Sequence, residues 1–127
     1  MTPEVPAVLL QLAVIAGRSA MPDIPDAERA SDLGLTAMLL TLAAEVWDGA
    51  AHKLVAENRA LRALLGAAGD DDDLHLSALK TENDRLRALL ITAQIAAEAA
   101  GDTKRQDAIW AELRASTERR KISVSLV

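Results

Sequence analysis

An all-α fold is predicted: an antiparallel helical bundle of about four helices, with one long central helix, a coiled-coil-like hairpin and a short extended C-terminal tail. Three observations predict it. The 127 residues hold 26 alanines and 20 leucines, no tyrosine or phenylalanine and two tryptophans, a vocabulary rich in helix formers and poor in strand formers. Leucine or tryptophan recurs every seven residues at Leu33, Leu40, Trp47, Leu54 and Leu61, and Ala37, Ala44, Ala51, Asn58 and Leu65 complete a spacing of four and three. Finally, one phrase occurs twice, LVAENRALRALL at 54–65 and LKTENDRLRALL at 79–90, identical at 8 of 12 positions.

The first helix is expected over about 3–19, with Thr2 as cap and Pro3 at the first helical position. MPDIPD then forms the first turn, because each proline lacks an amide hydrogen and disfavours helical torsions in its predecessor. From about 26 to 65 no proline occurs. One long helix is expected there, although Gly34 and Gly49 each cost about 1 kcal/mol relative to alanine and leave a break or bend open. GAAGDDDD ends it, and Asp73 is placed to cap a third helix over 73–100. GD at 101–102 is a stop followed by a cap, which predicts a fourth helix over 103–120 with Ile109, Trp110 and Leu113 on one side. In the tail, 121–127, Ile122, Val124 and Leu126 alternate with serines, so it is expected to be extended, either frayed or paired with another edge.

A chain of this length fits a single helical-bundle domain, 1–127. With no cysteine, disulfides, thiolate catalysis and thiolate metal sites are excluded, in keeping with a cytoplasmic protein. The excess of alanine, and of ten arginines over four lysines, matches a GC-rich bacterial genome. A net charge of -5 and the scarcity of aromatic side chains argue against nucleic acid as a partner. The run AVLLQLAVIAG has no basic flank before it and is too short to cross a bilayer, so it reads as a buried helix and no membrane partner is expected.

The pattern L-x-x-E-N-x-x-L-R-x-x-L resembles a leucine zipper, in which a core asparagine selects register. Upstream of Leu54 lies AAEVWDGAAHK, with no basic DNA-contacting region, so DNA binding does not follow from the resemblance. Two geometries use the phrase. In a parallel dimer Glu57 reaches Arg62 of the partner chain. In an antiparallel hairpin the two copies pack on each other across the aspartate loop, which sets Asn58 and Asn83 at one level as register residues.

At 1.5 Å per residue the second helix measures about 60 Å against about 42 Å for the third, so its N-terminal end overhangs the hairpin. On that overhang Leu35, Leu39, Leu42 and Val46 form a second apolar stripe. A helix apolar on two faces must be buried on two faces. The stripe is therefore expected at the interface of a homo-oligomer, most simply a two-fold dimer.

Candidate chemistry is thin. Glu45, Asp48 and His52 share a helical face, but no Glu-x-x-His motif accompanies them, and Asp70 to Asp73 with His75 lack the alternating ligands of a calcium loop. No catalytic residue, cofactor or metal ligand is assigned. Trp47 and Trp110 are expected to fill the core. Arg114, Arg119, Arg120 and Lys121 suit the negative end of the fourth helix and offer a surface to an acidic partner. The expectation is a non-catalytic, self-associating scaffold or accessory subunit for another, unidentified protein. The alternative is a small-molecule or metal-dependent enzyme whose site forms between subunits.

Overall fold

A computed structural model describes residues 4–122, and these form four α-helices: α1 Val5–Val14, α2 Ala27–Leu65, α3 Leu76–Ala100 and α4 Thr103–Arg120. No strand occurs among the described residues. The alternating part of the tail beyond Ile122 lies outside them.

Most helix ends follow the side chains and glycines that flank them. Asp26 Oδ1 accepts from the amides of Glu28 and Arg29 at 2.9 and 3.0 Å and starts α2. Gly66, at φ 65°, closes it, with the Ala67 amide bonded back to the Arg62 carbonyl at 3.0 Å. Gly101, at φ 64°, closes α3 in the same way, through Asp102 to the Ala97 carbonyl at 2.9 Å, and the Asp102 side chain then caps α4 by accepting from the Arg105 amide. Gly34 and Gly49 interrupt nothing, since α2 is one helix of 39 residues.

Three boundaries differ from expectation. The first helix begins at Val5, with Glu4 extended at its N-cap, and Thr2 and Pro3, expected to start it, lie outside the described residues. Past Val14 the first helical stretch widens into a π-turn, Ile15–Ala20, and tightens into a 3-10 turn, Met21–Asp23, so helical winding continues beyond Ser19. Pro22 is the second residue of the 3-10 turn, where a missing amide hydrogen is harmless, and the break comes at Ile24, which Pro25 pushes to an extended conformation (ψ 111°). The third helix starts at Leu76 instead of residue 73, because Asp73 Oδ1 is taken by the backbone amide of His75, at 2.9 Å, in a local turn.

Contacts group the described chain into two units, divided inside α2 between Gly49 and Ala50. In the N-terminal unit, α1 and its continuation lie antiparallel to the first half of α2. Small residues line the seam. Ala13 and Ala44 are buried, and a Cβ on Gly17 would stand 3.4 Å from Ala37 Cβ, and one on Gly34 the same distance from Met21 Sδ.

In the C-terminal unit, Ala50–Lys121, the end of α2 packs with α3 and α4 around Leu61, Leu86, Leu90 and Ile109, with Leu64, Leu65, Ala93 and Leu113 at the margin. Neither tryptophan joins a core: Trp47 is 55% and Trp110 53% exposed. On α4 the core place goes to Ile109, which leaves its neighbour about 100° round the helix.

Candidate functional site

Directly against the leucine core of the C-terminal unit lies a buried polar layer built from both copies of the repeated phrase. Asn83 Nδ2 donates to Asn58 Oδ1 at 3.0 Å, which brings the two register residues into direct contact. Around them the flanking charges pair crosswise within the chain, Arg87 on Glu57 at 2.8 Å and Arg62 on Glu82 at 3.1 Å. The α2–α3 pair is thus quasi-two-fold symmetric at its centre, as two similar antiparallel phrases should be.

Other elements break that symmetry. Glu57, 2% exposed, is reached from α4, where Ser116 Oγ donates to its Oε2 at 3.0 Å and Arg120 gives Nε to Oε2 at 3.1 Å and Nη2 to Oε1 at 2.7 Å. Asn83 adds a further donor to Oε1 at 3.2 Å. Burial by itself would raise the Glu57 carboxyl, but the hydrogen bonds from Arg120, Asn83 and Ser116, with the Arg120 charge, bring it down from 4.5 to about 2. Glu82, the same letter in the other phrase, faces partly outward and is lowered first by its hydrogen bonds with Arg85.

Arg62 is enclosed by the aspartate loop. Its Nη1 and Nη2 donate to Asp71 Oδ2 and Oδ1 at 3.0 and 2.8 Å, and Asn58 Nδ2 adds a bond to Oδ1 at 3.0 Å. The Arg62 guanidinium holds the Asp71 carboxyl below its ordinary value against the opposing effect of burial. Arg62 Nε is buried without a partner among the described residues.

These contacts change the outlook for the asparagines. A paired amide in an otherwise apolar zipper core costs stability, so leucine at both positions should stabilise it. Here the amides also serve Asp71 and Glu57. Asn58→Leu with Asn83→Leu leaves two buried carboxylates short of a donor, and a net loss of about 2 kcal/mol is expected in denaturant unfolding.

A second candidate is the outer surface of the N-terminal unit. Its seam buries alanine while its larger side chains face out: Val8, Leu12, Ile15 and Trp47 are exposed, with Leu35 at 51%, Leu39 at 53% and Val46 at 49%. Leu42, the remaining member of the expected stripe, is half-buried. By length and composition, Val5–Asp23 and Ala27–Leu65 both suffice to cross a membrane, the first because the π- and 3-10 turns prolong its apolar run. A groove of about 820 Å³ at one end of this unit is lined by Glu4, Leu10, Thr41, Glu45, Trp47 and Asp48.

No cluster of three or more metal-ligating side chains occurs among the described residues. Asp48 and His52 stand at the surface, and His75 is bonded to Asp73 at 2.6 Å. The basic residues at the end of α4 have partners in the chain, Arg119 on Glu112, Arg120 on Glu57 and Lys121 on Glu118. Comparison with family models, with curated proteins and with solved structures finds no match for this chain.

Proposed function

We propose that the chain is a non-catalytic, self-associating scaffold or accessory subunit, and that the N-terminal unit is where two copies meet. One observation carries this reading: a hairpin whose buried side chains are Ala13 and Ala44, while Leu10, Leu12, Leu35 and Leu39 stay exposed. A pair of helices alone cannot cover such a surface, and contiguous exposed apolar area of this kind marks an interaction site.

Charge placement favours a second copy over a bilayer as the cover. Uncharged residues run from Val5 to Gly17 in the first stretch and from Leu33 to Ala44 in α2. Arg18 and Asp32 bound the belt at one end, and Glu4, Glu45 and Asp48 at the other. At 1.5 Å per residue the fully uncharged belt is about 18–20 Å tall, so although each helix is long enough to cross, its flanking charges would fall inside the roughly 30 Å hydrocarbon layer. Two such hairpins placed face to face make a four-helix core of ordinary dimensions. The C-terminal unit exposes Ile91, Ile95 and Trp110, which gives the accessory role a surface for another protein.

Hydrogen exchange measured across a dilution series tests the interface. Amides between 33 and 46 are expected to be protected at high protein concentration and to lose protection on dilution, while those of 79–90 stay constant. Protection independent of concentration in both segments would exclude an interface at this hairpin.

A further inference from the structure

We infer that Asp71 fastens the two copies of the repeated phrase to each other within one chain and thereby prevents the same pairing between chains. The contacts of α2 with α3 and α4 do not depend on the loop that joins them. Segment 54–65 of one copy meets an equivalent surface on the α3–α4 pair of a second copy, the situation in which elements are exchanged between protomers. What distinguishes the closed chain is the loop itself.

Of four adjacent aspartates only Asp71 is drawn inside, with 4% of its side chain exposed, and its three bonds fall on Arg62 and Asn58 of the neighbouring α2. Gly69, at φ 119°, supplies the backbone shape that lays the loop over Arg62, where its added Cβ would stand 3.7 Å from Nε. In an exchanged pair residues 66–75 run extended from one copy to the other, carrying Asp71 away from these partners. The bidentate charge-assisted pair therefore stabilises one of the two arrangements and not the other.

Crosslinking reads the difference. Lys53 Nζ donates to the Lys121 carbonyl at 3.3 Å, so positions 53 and 121 lie close in the folded unit, and the chain has no cysteine of its own. One full-length chain carries Lys53→Cys and a second Lys121→Cys; the two are mixed, equilibrated and treated with a short bismaleimide. With Asp71 intact, little crosslink between chains is expected. Asp71→Ala in both chains should raise it about tenfold, the loss of roughly one charge-assisted hydrogen bond.

Gly69→Ala opens the loop without removing a charge, and its crosslink should rise in the same direction. Should Asp71→Ala lose its helical signal, Gly69→Ala decides alone. Yields within about twofold of the parent would overturn the inference. Association through the N-terminal unit contributes equally to every arm, so the result does not depend on it.

Discussion

Replacing Glu57 with alanine is expected to lower the melting temperature of the C-terminal unit by at least about 12 °C, followed through the helical signal of the full chain. Glu57 accepts from Asn83, Arg87, Ser116 and Arg120, and so ties α2 to both other helices of the unit. Without it the Ser116 hydroxyl and the Asn83 amide stay buried and short of partners, while two arginines lose their counter-charge. Leaving a buried donor unpaired costs about 1–3 kcal/mol, about 3 kcal/mol or more for the hydroxyl and the amide together, and in a unit of this size each kilocalorie is worth about 4–8 °C.

Acid should act at the same point. Because the folded carboxyl sits at about 2, below its ordinary 4.5, its contribution is fully present above pH 4.5 and is lost as pH falls from there toward 2. The shift corresponds to a stabilisation on the order of 3 kcal/mol. Glu57→Gln should flatten this acid limb of the stability profile, and a limb of unchanged steepness would place the titration elsewhere.

The second large effect is expected at the N-terminal unit. Leu35 and Leu39 stand one helical turn apart and are both half exposed. Leu35→Glu with Leu39→Glu leaves the alanine and glycine seam within the chain untouched, while setting two carboxylates where two copies are to meet. Burying an unpaired charge is so unfavourable that association should weaken by more than about a hundredfold, with little change in the helical content of the separated chain. A comparable pair of substitutions on the exposed side of α3, at Lys80 and Asp84, should leave association unaltered.

Much of the fold could be read in advance because its signals are local. Asp26, Gly66, Gly101 and Asp102 sit where cap chemistry requires them, and the long α2 and the limits of α4 follow. The level shared by Asn58 and Asn83 followed from symmetry about the loop between the phrases. The sequence did not reveal that Glu57 would be enclosed while Glu82 remained at the surface. Their local contexts are nearly the same, and only α4, arriving from far along the chain with Ser116 and Arg120, tells them apart.

Asp71 was equally hidden, since nothing in a run of four aspartates marks one as the partner of Arg62. The small-inside, large-outside hairpin left a trace in the coincidence of Gly17 and Ala37, and of Met21 and Gly34, on facing positions. Apolar periodicity shows that a helix has two greasy faces. It does not show which face a neighbour will take.

The mass of the unmodified chain in solution, by light scattering at micromolar concentrations, tests the central claim most directly. Twice the 13.5 kDa of one chain is expected, falling to 13.5 kDa in the Leu35→Glu, Leu39→Glu variant. An unmodified chain that stays at 13.5 kDa across the micromolar range would contradict the account.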